Sequence, residues 1–493
     1  MNRYYLGLRG VRIGWFILCF LFMFSVPLQA KEINSTLKQQ DIDISVCQAD
    51  LKSKIDTILE QEDLKRSHWG ILVKTLDNKR TLYELNSQKY FIPASNVKLL
   101  ITAATLIKFG ANYQIKTPVY ASGSYPNLSV LKIVGNGDPT FKSEQLEKLA
   151  QELKARGIQR IDNLIVQDSP LERPSINPTW EWEDIQFYYA PAVNKLILNE
   201  NAVILTLTSQ ELGDKLTIEW SDAIAAKQWM IDNKAITGEE DSPYTVSINR
   251  NFEKPLLTIT GSLAINSKPR ILGMAVVNPG EYFLNSLKFY LEQEGINIIN
   301  SQVVYGESET DNLVKITEIR SDILQEIITN TNQDSNNLYA ESLLNLLVNN
   351  TEKDNSIDNL KEILTTLGLD ANLYHLKDGS GLSRHNLVTP ETLVNLLILI
   401  ATTPEGRNYR DSLPISGVNG TIKNRFKDTI IEGKVQAKTG TLSGTSALSG
   451  YINPPNYSPL AFSIIVNKSD LKPSQLRKII DEIVINLGSL KQC

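Results

Sequence analysis

The sequence predicts a mixed α/β fold whose main sheet is built from both ends of the chain. Strand-like runs lie near both termini, and a strongly helical stretch (320–402) precedes the last of them. The middle of the chain, above all 199–268, reads instead as short strands and polar turns. Length adds a third constraint. A chain of 493 residues exceeds what one core fills, so two or three domains are expected, with the middle inserted between the two halves of the sheet.

Each element has its own signal. Residues 1–30 carry Arg3, Arg9 and Arg12, then the apolar run GWFILCFLFMFSVPL, and end at Ala30. That layout reads as a secretory signal peptide cleaved after Ala30; the alternative is an uncleaved anchor, because Leu28 is not small. Residues 48–63 read as a helix. GILVKTL (70–76) and RTLYELN (80–86) form a hairpin across DNK. SNVKLLITAATLIKF (95–109) is apolar on nearly every side, so it is expected to be a buried helix. Ser95 then falls in its first turn and Lys98 one turn on, on the same face.

From about 115 the texture changes. VLKIVGNGDPTF (130–141) reads as a strand and turn, 143–156 as a helix and IDNLIVQD (161–168) as a strand. GEYFLNSLKFYLEQE (280–294) is an amphipathic helix stopped by Gly295. After the helical stretch come the strands KVQAKTGT (434–441), ALSGYI (447–452) and LAFSIIVN (460–467), then a closing helix, SQLRKIIDEIVINLG (474–488).

Composition narrows the function class. With 42% hydrophobic and 21% charged residues the chain is neither disordered nor a membrane bundle. The net charge is −5 and becomes −8 once the three arginines of 1–30 are removed, with no basic stripe; nucleic acid is not an expected partner. No C-terminal basic amphipathic segment points to a stable membrane anchor after cleavage. The three histidines, His68, His375 and His385, have no metal-ligand spacing, so no metal and no cofactor are expected. Cys47 and Cys493 remain after cleavage. In an oxidising compartment two lone thiols suggest one bridge between the chain ends; two free thiols are the alternative.

Chemistry concentrates in three short motifs. Ser95-x-x-Lys98 alone is weak, because Ser35/Lys38, Ser129/Lys132 and Ser469/Lys472 share its spacing. Ser335-Asn336-Asn337 is also common by chance. Lys438-Thr439-Gly440 occurs once, and Thr441 follows it. Their order is the stronger signal, and the chemistry accounts for the residue types. A serine hydroxyl needs a neighbour to take its proton. Lys98 can do so if burial and nearby positive charge hold its amine neutral. Asn337 can hold Lys98 and the substrate amide, and Ser335 can pass the proton to a leaving amine. Lys438 supplies a fixed charge near Ser335, while Thr439 and Thr441, with Gly440 between them, can bind a substrate carboxylate. Backbone N–H groups of Ser95 and Thr441 are the expected oxyanion donors.

With these three motifs, and with GNGDPTF (135–141), APAVNKLILNENA (190–202), SNNLYAESLL (335–344) and DGSGLSRHNLVTP (378–390), the whole mature chain resembles the D-alanyl-D-alanine carboxypeptidase/endopeptidases of the class C penicillin-binding proteins. The resemblance implies a penicillin-recognising, transpeptidase-like domain with an antiparallel sheet and a helical cluster. Ser335 lies 237 residues after Lys98, far more than in single-domain serine β-lactamases, and the family fills that gap with two nested inserted domains. The expected division is 1–30 signal peptide, 31–114 with 318–493 catalytic, 115–198 with 269–317 second domain, and 199–268 third domain.

The activity implied is that of a periplasmic or wall-facing serine DD-peptidase. It would cleave D-Ala-D-Ala, or D-Ala cross-links, of peptidoglycan stem peptides through an acyl-enzyme on Ser95, with β-lactams as covalent inhibitors. A serine β-lactamase and a non-catalytic wall-binding homologue are the rival readings. Asp378 and Arg384 either shape the floor of the site or belong to a purely structural turn.

Overall fold

The structure is a computed structural model and describes residues 45–168, 175–251, 253–306, 312–348 and 355–493. The expected signal peptide and the Ser35/Lys38 pair lie outside the described residues. Among the described residues no helix is long and apolar enough to cross a membrane.

The central sheet has five strands in the order Val435–Leu442, Thr445–Ile452, Leu460–Asn467, His68–Thr75, Thr81–Leu85, and every neighbouring pair is antiparallel. Chain end meets chain start where Ile464 faces Ile71 across the pair. The two inner C-terminal strands are buried at all eight positions, which requires cover on both faces. Side-chain alternation divides them between two cores. Leu460, Phe462, Ile464 and Val466 pack with the helices Leu51–Leu59 and Pro473–Gly488. Ala461 and Ile465 face the helices Val97–Phe109 and Pro390–Ala401.

The helix Val97–Phe109 is the centre of that second core, and its first ten residues are all buried. It ends at Gly110, which has φ 75° and donates its N–H to the Leu106 carbonyl. It begins later than the sequence suggests. Ala94–Asn96 form a 3₁₀ turn, with Ala94 at φ 48°, and the α-helix starts only at Val97. Pro93 enters the turn and its carbonyl accepts the Asn96 N–H, so Ser95 sits on a tight elbow before the helix rather than inside it.

A third core draws its side chains from 119–319. Its main sheet runs Asn297–Tyr305, Arg160–Asp168, Asn127–Val134, Lys116–Ser124, Val314–Arg320, mixing parallel and antiparallel pairs. The helices Ser143–Ala155 and Pro279–Gln293 contribute their buried faces to this core. Short strands between Ala202 and Ala275 complete it in sheets of two or three strands. The chain ends are tied twice. Val46–Cys47 pairs in parallel with Leu490–Lys491, and Cys47 is disulfide-bonded to Cys493 with a Cα–Cα distance of 5.6 Å.

Candidate active site

Three segments that are far apart in sequence meet at the elbow before the buried helix. The Lys98 side chain is fully buried, and its amine has three partners: Ser95 Oγ at 2.9 Å, Asn337 Oδ1 at 2.7 Å and the Ser380 carbonyl. Asn337 opens the helix Asn337–Leu346 and donates its Nδ2 to the Tyr189 carbonyl at 2.6 Å. That bond fixes the amide so that only its oxygen can face Lys98. The Ser380 carbonyl and Asn337 Oδ1 can only accept. A neutral amine therefore gives both N–H groups to them and keeps its lone pair for the Ser95 hydroxyl.

The second lysine, Lys438, is equally buried. It lies on the edge strand Val435–Leu442 and donates to Ser335 Oγ at 2.8 Å and to the Thr439 carbonyl at 3.0 Å. Ser335 holds a left-handed backbone, φ 59°, just before the Asn336 cap. Asn336 Oδ1 accepts the Tyr339 N–H, so the helix end is closed by the middle residue of the motif.

Close approach of the edge strand to the elbow depends on Gly440. A Cβ there would fall 2.6 Å from the Pro93 carbonyl and 2.9 Å from the Asn96 amide. Thr439 Oγ1 donates to Thr421 Oγ1 at 2.8 Å, while Thr441 is exposed at the strand's end.

Electrostatics follow from burial. Loss of water around Lys98 pushes its amine from an ordinary 10.5 down to about 7, while Asp378 and Glu341 pull it back up. Lys438 is pushed well down, first by burial and then by the positive charge of Lys98.

The two carboxylates do structural work nearby. Glu341 lies one turn after Asn337 on the same helix and accepts the N–H groups of Gly379 and Ser380, both at 2.8 Å. The buried Asp378 accepts from Gly381 N–H, Ser383 N–H, Asn386 Nδ2 and Trp180 Nε1. Together they shape the 378–383 loop that aims the Ser380 carbonyl at Lys98. Gly381 has φ 81°, and a Cβ on it would fall 2.0 Å from the Ala94 carbonyl. Arg384 lies at the rim, paired with Glu181 at 2.5 Å and bonded to the Ser443 carbonyl at 3.0 Å.

Ser95, Lys98 and Asn337 thus form one hydrogen-bonded chain, and Ser335 with Lys438 a second. The competing Ser-x-x-Lys pairs are not built this way. Ser129 and Lys132 lie on the strand Asn127–Val134, where residues three apart point to opposite faces. Ser469 lies in the loop before the closing helix and Lys472 at that helix's cap, and the Ser469 hydroxyl accepts the Leu471 N–H. The motifs did not reveal Glu341, the Ser380 carbonyl or the Tyr189 carbonyl. For Glu341 a signal was present: the i, i+4 spacing from Asn337 puts both on one helix face. Among the described residues no group of three or more His, Cys, Asp or Glu side chains is placed to hold a metal ion.

The chain is 31% identical over 459 residues to a D-alanyl-D-alanine carboxypeptidase of Actinomadura sp. (strain R39), covering 89% of this chain and 84% of the relative. It is 30% identical over 457 residues to the penicillin-sensitive carboxypeptidase A of Dictyostelium discoideum, covering 85% and 87%. In fold it is similar to the crystal structure of penicillin binding protein 4 from Haemophilus influenzae. That match has a TM-score of 0.78 at 24% identity and covers 88% of this chain and 98% of the other. Residues 51–487 match a single family along their whole length, and the chain belongs to the D-Ala-D-Ala carboxypeptidase 3 (S13) family.

Proposed function

We propose that the protein is a serine DD-peptidase of the peptidoglycan, with Ser95 as nucleophile and Lys98 as its base. Family membership supports the reaction class, and the observation that carries the residue assignment is the Lys98 amine. It faces two pure acceptors and one hydroxyl, so a neutral Lys98 can only draw its proton from Ser95. As that proton moves to Lys98 Nζ, Ser95 Oγ bonds to the carbonyl carbon of a D-alanine. The carbonyl π pair moves to oxygen, where N–H groups of Ser95 and Thr441 receive it. Collapse of the intermediate breaks the C–N bond, and the leaving amine takes a proton through Ser335, which Lys438 holds in place. An ester on Ser95 remains, and water cleaves it to regenerate the serine.

The peptide aligns along the edge strand Val435–Leu442, with Thr439, Gly440 and Thr441 at its terminal carboxylate. A β-lactam meets the same serine, and opening its ring leaves a covalent ester. This reading places the protein in the periplasm or facing the wall, after removal of 1–30. It also assigns 31–114 with 318–493 to catalysis, 115–198 with 269–317 to a second domain and 199–268 to a third; the separate core of 119–319 supports setting the middle of the chain apart from the catalytic part, and it draws side chains from both inserted pieces. Incubation with purified muropeptides, monomeric and cross-linked, tests the function by mass spectrometry of the products. Release of terminal D-alanine or opening of cross-links is expected from the unsubstituted protein and not from Ser95→Ala. Equal turnover by both would overturn the assignment.

A further inference from the structure

We propose that Glu200, outside the three motifs, is a positioning residue for the Ser335–Asn337 loop. A left-handed turn in the inserted segment presents its carboxylate to the Asn336 amide. The proposal rests on the reading of Ser95 as nucleophile, because its effect is read at that serine.

The turn is unusual in its backbone. Asn199, Glu200 and Asn201 have φ of 49°, 59° and 50°, three consecutive non-glycine residues in the left-handed region. Such conformations persist where the surroundings over-determine them. Here both flanks are fastened. Asn199 Nδ2 donates to Ser143 Oγ at 2.7 Å and to Tyr282 Oη at 2.8 Å, and its Oδ1 accepts the Ser143 N–H at 3.0 Å. Asn201 is fully buried; its Nδ2 donates to the Ala192 carbonyl and to Asn194 Oδ1, both at 2.9 Å, and its Oδ1 accepts the Leu198 N–H at 3.2 Å.

Between these anchors only the Glu200 side chain projects toward the catalytic motif. Its Oε2 accepts Asn336 Nδ2 at 2.7 Å, and its Oε1 accepts Lys142 Nζ at 3.0 Å. Asn336 is thereby held at both ends of its amide, since Oδ1 is already engaged by the Tyr339 N–H. Its two neighbours are Ser335, bonded to Lys438, and Asn337, bonded to Lys98. Asn337 is held by the same inserted segment through the Tyr189 carbonyl. The insertion therefore grips the motif at two successive residues. Loss of the Glu200 bond frees the Asn336 amide to rotate, and a shift of about 1 Å at a reacting group costs on the order of 100-fold in rate.

The test is the acylation rate constant at saturating labelled penicillin, expressed per titratable Ser95. Glu200→Ala should lower it by about 10- to 100-fold. Glu200→Gln, whose amide oxygen still accepts from Asn336, should recover most of that loss. Asn336→Asp sets two carboxylates against each other and should fall as Glu200→Ala does. In the double variant with Glu200→Gln the bond reforms with donor and acceptor exchanged, and the rate should rise again. A purely structural role changes the melting temperature and the titratable fraction but not the rate per site. An unchanged rate per site in Glu200→Ala would overturn the proposal, as would absence of rescue in the double variant. If Glu200→Ala does not fold, the pair of Asn336→Asp with and without Glu200→Gln decides. An unsubstituted protein that is not acylated at Ser95 would instead overturn the reading of the site, and this inference with it.

Discussion

Lys98 and Asn337 lie 239 positions apart in the chain, yet the Lys98 amine sits 2.7 Å from the Asn337 side-chain oxygen. That bond joins the buried helix of the first half to a helix of the second, and it fixes where the lysine lone pair points. An asparagine there holds the amine without charging it. An aspartate would keep it protonated.

The pH dependence follows. The base form of Lys98 is the neutral amine, and burial brings its pKa to about 7. The acylation rate should fall about tenfold per unit below that pH and level off above it. Asn337→Asp should move this acid limb to higher pH, because the new carboxylate favours the charged lysine. Stopped-flow acylation across pH 5–9 reads both; an unmoved limb in the variant would contradict the role given to Lys98.

Glu341 works on the same lysine from the other side. Glu341→Gln keeps an acceptor for the Gly379 and Ser380 N–H groups but removes a negative charge that raises the Lys98 pKa. The acid limb should move to lower pH, opposite to Asn337→Asp. Measured in the same assay, a shift in the same direction as Asn337→Asp would refute this electrostatic account.

Gly440 is expected to be intolerant of any side chain. Gly440→Ala places a methyl group 2.6 Å from the Pro93 carbonyl and pushes the edge strand away from the Ser95 elbow. Acylation should fall by two orders of magnitude or more while circular dichroism stays that of the folded protein. Full acylation would show that the strand need not approach so closely.

The sheet and the buried helix were legible in the sequence because both are set by local patterning. Apolar runs in 447–452 and 460–467 match strands buried on both faces, and 95–109 is apolar all round. The start of that helix was not legible, since the 3₁₀ elbow depends on Ala94 adopting φ 48° against Gly381 and Gly440 from elsewhere in the chain. The three motifs singled out Ser95 as the proposed nucleophile, because order along the chain survives without coordinates. They did not identify what holds the motifs. Glu200, Glu341 and the Tyr189 carbonyl make their contacts through one or two hydrogen bonds between distant segments, and periodicity records no such partner, although the i, i+4 spacing did place Glu341 on the face of Asn337.

The cysteine pair illustrates an alternative resolved by structure: of one bridge or two free thiols, the bridge is present. It joins residues with a sequence separation of 446, and disulfides typically contribute about 2–4 kcal/mol, so its removal should cost at least that order of stability. Denaturant titration of the Cys47→Ser/Cys493→Ser variant should show that loss, with the acylation rate per site unchanged. Stability equal to that of the oxidised protein would mean the bridge constrains little of the unfolded chain.

The most direct measurement is the site of attachment of a β-lactam. After reaction with labelled penicillin, proteolysis and peptide mass spectrometry should place the adduct on the peptide containing Ser95 and on no other serine, and Ser95→Ala should carry no label. An adduct on another residue, or full labelling of Ser95→Ala, would contradict the account.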